Sequence, residues 1–247
     1  MILKPFQNTI LCKKNFVKSW FYLNFLFIIF LFTSNGTASV IACLKNDSTV
    51  YLLADSRVAY DTLATIFADT ACKIIHIKNV FFAISGTFLP SQFDEFRQMF
   101  NGINDSLSIL MHSFIKRFES KFKNLIVDSI KKPMNFYIIF VSNFGEKIEI
   151  GEISMKYLTR DTKNIKKLIR WPSELKNEKY LFLTQTKIPA KIITKKEDFF
   201  LNPLSTINKF TDKVLEFDPI WKGYPIDLVK ITPNSYEWIQ KKENCNH

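Results

Sequence analysis

The order of elements predicts an α+β chain with antiparallel sheets layered against helices. Short β-rich runs come in pairs joined by turn residues near both ends of the chain. Helical stripes fall between and after them. No βαβ alternation, linker or internal repeat divides the sequence, so the sheets and helices are expected to pack as layers of one domain. A chain of 247 residues, 47% of them apolar and with 25 Phe against 6 Gly, is long and oily enough for one large core.

Residues 1–20 carry Lys4, Lys13, Lys14 and Lys18 and no acid, and the apolar run FYLNFLFIIFLF comes next at Phe21–Phe32. Twelve residues are short for a membrane span, which needs ~20. With the small residues behind the run, they read as a signal peptide over 1–38, leaving 39–247 as the mature domain. Cuts after Gly36 and after Ala38 both fit, and Ala38 is the better residue at the cut. An uncleaved anchor at residues 21–32 is the alternative. The expected protein is exported, periplasmic or secreted. Cleavage after Ala38 leaves 209 residues and removes four lysines and no acid, so the net charge falls from +11 to +7.

Val40–Leu44 and Val50–Ala54 flank the turn cluster Lys45-Asn46-Asp47-Ser48-Thr49 and read as a hairpin. Lys73–Ile77 and Val80–Ser85 are the next strands, joined through Lys78-Asn79. The unbroken apolar run VFFAI suits a strand covered on both faces. Phe93, Phe96 and Phe100 behind Ser91 suggest a helix that Asn101-Gly102 interrupts. A longer helix begins near Asp105, with Leu107, Leu110, Met111, Phe114, Phe118, Phe122 and Leu125 on one face. A second hairpin is expected from Asn135–Val141 and Lys147–Ile153. Residues 155–178 read as charged and irregular, and Tyr180–Leu183 as a short strand or a helix end. Pro203 opens a helix through Phe217. Pro225–Ile231 and Tyr236–Ile239 complete the chain as strands.

The chain lacks G-x-S-x-G, H-E-x-x-H and Walker A patterns, so serine-esterase, zincin and NTPase chemistry have no motif here. Cleavage leaves Cys43, Cys72 and Cys245, which permit at most one intrachain disulfide with one cysteine over. No C-x-x-C spacing exists and the three His are scattered, so neither a metal nor a cofactor is expected. Cys43 reads as a small buried apolar residue. Cys72, beside Lys73, reads as a packed thiol, or a reactive one if its pKa is lowered. His76 reads as a core residue. The basic runs KNIKKLIR and KIITKKED read as solvated faces, and no nucleic-acid partner is expected.

Three boxes in order carry a resemblance. VYLLADSR, ACKIIHI and NVFFAISG resemble the N-terminal third of proteasome β-type subunits, which are N-terminal nucleophile (Ntn) hydrolases. GYPIDLVKI (Gly223–Ile231) is similar to the final strands of their secreted bacterial relatives. The resemblance implies a four-layer α/β/β/α sandwich with two antiparallel sheets. It also implies amide-bond hydrolysis, peptidase-like, on a peptide or amide substrate, with self-assembly into a homo-oligomer. Contact with a membrane would come only through an uncleaved leader.

In that family the mature chain begins with the nucleophile. Its own α-amine, of pKa ~7.7–8.0, takes up the hydroxyl proton. Sixteen residues separate the family's nucleophile from its Asp, and counting back from Asp55 gives Ser39, the residue that cleavage after Ala38 exposes. Thr37 has the family's usual side chain and is the alternative, with two extra residues in the hairpin. Lys73 would supply positive charge, Asp55 would hold it, and the Gly86 N–H would face the oxyanion. Asp218 stands where the family has a supporting Asp. There Trp221-Lys222-Gly223 replaces the usual Ser and paired Gly, which favours the alternative of a non-catalytic sandwich serving as a binding or structural protein.

Overall fold

Period-two alternation with both faces apolar is the rule that builds this molecule. The computed structural model describes residues 40–55, 58–59, 67–68, 72–86, 98, 106–129, 134–144, 146–157, 165–176, 179–183, 196–217, 226–243 and 245. The chain divides into two units, Met1–Gly36 and Thr37–His247, and every described strand and helix belongs to the second.

One five-stranded sheet contains β1 (Ile41–Asn46), β2 (Thr49–Ala54), β10 (Lys179–Leu183), β11 (Asp227–Thr232) and β12 (Ser235–Gln240), in the order β10-β1-β2-β11-β12. The other contains β5 (Ile74–Ile77), β6 (Val80–Gly86), β7 (Met134–Ser142), β8 (Glu149–Tyr157) and β9 (Ile165–Arg170), in sequence order. All these pairings are antiparallel. A separate two-stranded pair joins β3 (Val58–Ala59) to β4 (Phe67–Ala68). The described helices are α1 (Leu107–Ser129), α2 (Lys196–Leu201) and α3 (Pro203–Phe217).

Three buried clusters set the layer order. Ile41 and Cys43 of β1 and Leu52 of β2 pack against Phe81 and Ala83 of β6 and Ile139 and Val141 of β7, which closes the two sheets face to face. The alternate residues point outward. Phe82, Ile84, Ile138 and Phe140 meet Leu107, Leu110, Met111, Phe114 and Phe118 of α1. Ala42, Leu44, Leu53 and Leu228 meet Phe199 of α2 and Ile207, Phe210 and Val214 of α3. Every strand that crosses the middle is thus covered twice, which is why VFFAI shows no polar alternation.

Local chemistry fits these elements. The β1–β2 and β5–β6 hairpins each turn in two residues, with Asp47 (φ 52°) and Lys78 (φ 56°) in the left-handed region. Asp tolerates this conformation readily, Lys less so. Ser106 precedes α1, and its carbonyl accepts from the Leu110 N–H. Pro203 occupies the first turn of α3, where its missing N–H costs nothing.

Residues 155–178 are not irregular throughout: β8 runs to Tyr157, and IKKLIR forms β9. Three of the six β9 residues are basic, which hides the strand in a hydropathy pattern. Cationic residues suit an edge strand, and Lys167, Leu168 and Arg170 are exposed while Ile169 packs against the α1 layer. The Tyr180–Leu183 ambiguity resolves as β10. The helix expected after Ser91 falls outside the described residues apart from Gln98. So do the leader, Thr37, Ser39 and Asp218. Phe114, Phe118 and Phe210 are buried, so these helix phenylalanines offer no apolar face for self-assembly. Among the described residues no helix is long and apolar enough to cross a membrane.

Candidate active site

The start of β1, the ends of β2 and β6, and the starts of β5 and β11 lie at one end of the sandwich. Ile41 pairs with Ala54, and Ala54 pairs with Asp227, so β1, β2 and β11 are level there. Ala54, Ile74 and Ala83 share the buried cluster between the sheets, which brings the start of β5 to the same level.

Asp55 is the first residue after β2 and is wholly buried. Its backbone N–H donates to the Val40 carbonyl at 3.1 Å. Its Oδ1 accepts from the Val40 N–H at 2.9 Å and from Lys73 Nζ at 2.7 Å. Lys73, 1% exposed, forms a buried ion pair with it. One carboxylate oxygen therefore joins three chain segments: the entry to β1, the exit from β2 and the entry to β5. A buried ion pair of this kind is weak evidence for stability, because desolvation offsets much of the attraction. Its value here is positional.

Lys73 is fixed along its backbone as well, since its carbonyl accepts from the Ile84 N–H at 3.2 Å. N–H groups alternate sides along a strand, so the Gly86 N–H points the same way as that of Ile84, toward the Lys73 side. Gly86 is buried and has φ 144°, a conformation L residues rarely adopt. Asp55, Lys73 and Gly86 thus come to one end of the two sheets, while Ser39 and Asp218, like Thr37, lie outside the described residues.

Sequence reasoning missed a second buried pair at the same end. Asp227 Oδ1 accepts from the Lys242 N–H at 3.0 Å, and Oδ2 lies 2.9 Å from Lys242 Nζ, an ionic contact by distance rather than an aligned hydrogen bond. An acid set directly between the apolar Ile226 and Leu228 was the available signal. Cys72 is neither a packed nor a reactive thiol: it is bonded to Cys245 across 173 residues of sequence, with Cα atoms 5.6 Å apart.

Other titratable groups lie elsewhere. Burial pushes the Cys43 thiol far up, with the Glu152 carboxylate adding to the effect, which keeps it protonated and inert. Burial, then Cys43 and Glu152, push the Tyr180 hydroxyl up, and it donates to Glu152 Oε2 at 2.9 Å across the two sheets. His76 stacks on Phe81, and burial holds its pKa below the ordinary value. Among the described residues no group of three His, Cys, Asp or Glu is placed to hold a metal.

Helix, sheet, sheet, helix, with a hairpin entering at the buried Asp55–Lys73 pair, is the layer order the resemblance implies. The chain is an α+β sandwich of two antiparallel five-stranded sheets with helices packed on both outer faces. No protein-family model matches this sequence, and no curated protein matches it. Solved structures similar to the chain include the helical assembly of the Anbu complex from Pseudomonas aeruginosa, at 12% identity and TM-score 0.48, over 83% of this chain and 88% of that one. Anbu, the ancestral beta-subunit, from Yersinia bercovieri is similar at 10% identity and TM-score 0.46, over 83% and 88%. Thiobacillus denitrificans BPH in complex with epoxomicin is similar at 10% identity and TM-score 0.45, over 78% and 98%.

Proposed function

We propose that this chain is an exported Ntn-type amidohydrolase, peptidase-like, whose nucleophile is Ser39, set free as residue one when residues 1–38 are removed. The observation that carries the reading is the contact of Asp55 with both Val40 N and Lys73 Nζ. Val40 directly follows Ser39, so the carboxylate that holds Lys73 also holds the next residue after the nucleophile. Thr37 would sit three residues before Val40, which favours Ser39.

In this reading the Ser39 α-amine accepts the hydroxyl proton as Oγ attacks the amide carbonyl carbon. Lys73 favours the negative charge developing on Oγ, and the Gly86 N–H faces the oxyanion. Collapse breaks the C–N bond, the α-ammonium returns the proton to the leaving amine, and an ester on Ser39 remains. Water then hydrolyses that ester by the same route in reverse. The Cys72–Cys245 disulfide supports export, because such bonds persist in oxidising compartments. Self-association belongs to the proposal as the family resemblance implies. The Pseudomonas protein is described as a helical assembly, and light scattering of the mature chain tests whether this one associates.

A second reading keeps the sandwich without the chemistry, and Trp221-Lys222-Gly223 favours it. One experiment separates the two. Mature protein is treated with an electrophilic peptide probe, epoxomicin first, because BPH was found in complex with it. The enzyme reading expects a mass adduct on the peptide that begins at Ser39, lost in Ser39→Ala without a change in melting temperature. No adduct on a correctly trimmed chain supports the second reading.

A further inference from the structure

The buried Asp227–Lys242 pair and the Cys72–Cys245 disulfide form a closed circuit with the candidate active site. The circuit starts at Lys73, whose Nζ meets Asp55 Oδ1. Asp55 follows Ala54, and Ala54 is the cross-strand partner of Asp227. Asp227 grips Lys242 twice, through its backbone N–H and its Nζ. The Lys242 carbonyl accepts from the Cys245 N–H at 3.3 Å. Cys245 is bonded to Cys72, and Cys72 precedes Lys73.

Each link has a physical reason to be there. Cys72 and Lys73 lie just before β5, a four-residue strand at the edge of its sheet. A residue ahead of a short edge strand is held by few ladder bonds, and chain ends fray first. Lys73 must nonetheless keep a long, flexible side chain fixed inside the protein. The disulfide ties the residue before it to Cys245, and the Asp227–Lys242 pair ties Cys245 to the sheet that carries Asp55. The tether therefore joins the Lys73 side of the sandwich to the Asp55 side.

We propose that Asp227, Lys242 and the Cys72–Cys245 disulfide are positioning residues that hold Lys73 against Asp55, and that reducing the disulfide loosens the site. The consequence for turnover rests on the Ser39 hydrolase reading; the positional claim does not. In the reduction a dithiol supplies two electrons and two protons to the Cys72–Cys245 bond. It leaves two thiols and becomes a cyclic disulfide itself. Lys73 stays in the chain, but its placement then depends on contacts that do not include the tether. A misplacement of about 1 Å at a reacting centre costs on the order of 10²-fold in rate, so a loss of tenfold or more is expected.

The test uses the mature protein, oxidised and then reduced under native conditions, with Cys245→Ser and Asp227→Asn as variants and melting curves to confirm that each is folded. The first readout is amide hydrogen exchange at Ile84, whose N–H donates to the Lys73 carbonyl. The amide of Ile139, deep in the inter-sheet core, is the control. Reduction is expected to speed exchange at Ile84 and leave Ile139 unchanged. The second readout is labelling by the electrophilic peptide probe. The maximal labelling rate should fall about tenfold or more while the half-saturating probe concentration holds, and reoxidation should restore the rate.

Unchanged Ile84 exchange in a reduced, folded protein overturns the proposal, whether or not the protein labels. Equal maximal labelling rates for oxidised wild type and folded Cys245→Ser overturn it too, and leave the hydrolase reading intact. Faster Ile84 exchange in a protein that never labels supports the tether and counts against the hydrolase reading instead. If reduction itself unfolds the chain, Asp227→Asn with the disulfide intact carries the same two readouts.

Discussion

The two buried Asp–Lys pairs sit on neighbouring strands at the same end of the sandwich, yet they are built differently. Asp227 binds the backbone and the side chain of one residue, Lys242, and so fastens the segment after β12 back onto β11. Asp55 binds the backbone of Val40 and the side chain of Lys73, and so joins both sheets at the point where the mature chain is expected to begin. The first is a clasp within one region. The second is a junction of three segments whose shared oxygen sets the position of a charge relative to the start of β1. Burying an ion pair gains little net stability when a well-packed apolar pair could fill the same space. Two such pairs at one end of a fold therefore point to positional work at that end.

The largest effects should come from removing one member of a pair. Asp55→Ala and Asp227→Ala each leave a buried ammonium facing no carboxylate from that position, and each should cost roughly 3–5 kcal/mol in denaturant unfolding. Joint replacement sharpens the comparison. Asp55→Leu with Lys73→Met, and Asp227→Leu with Lys242→Met, should each recover most of that loss, because an apolar pair of similar volume removes the desolvation term. Probe labelling should vanish in the first double variant and persist, slowed, in the second. Equal labelling of the two would erase the difference between clasp and junction.

Reducing the disulfide should lower stability by about 2–4 kcal/mol, read from the same unfolding curves. Tyr180→Phe is a control at the far end of β1, where Tyr180 pairs with Lys45. It removes the hydroxyl donor to Glu152 and should cost about 1.5–3 kcal/mol with no change in labelling.

The smallest effect concerns His76, whose folded pKa lies below its ordinary value because burial disfavours the cation. The unfolded chain then binds the proton more readily. Stability is present in full above pH ~6.5 and falls as the pH drops toward the folded value. His76→Phe, which keeps the stack on Phe81, should flatten melting temperature between pH 7 and 5; an unchanged slope would place the acid sensitivity elsewhere.

Much of the fold was legible because hairpins and amphipathic helices announce themselves locally. The β1–β2 turn at Asp47 and the Pro203–Phe217 helix come from short-range chemistry alone. β9 escaped because an edge strand can carry three cations in six residues, which is the composition of a loop. α2 escaped because six residues are too few for a helical period, and Phe199 in a buried cluster is what docks it. At the site, Asp55, Lys73 and Gly86 were readable from their boxes. Lys242 and Cys245 were not, since their partners lie 15 and 173 residues away and only the closed sandwich brings them together.

The hydrolase reading requires Ser39 to become the first residue of the working protein, next to an amide already held by Asp55. Mass spectrometry of the N-terminal peptide of the protein purified from cells that express the full chain tests it most directly. The expected result is a peptide beginning Ser39-Val40-Ile41 with an unmodified amine. A chain that begins at Val40, or that keeps residues 1–38, would have no free serine amine and would contradict it.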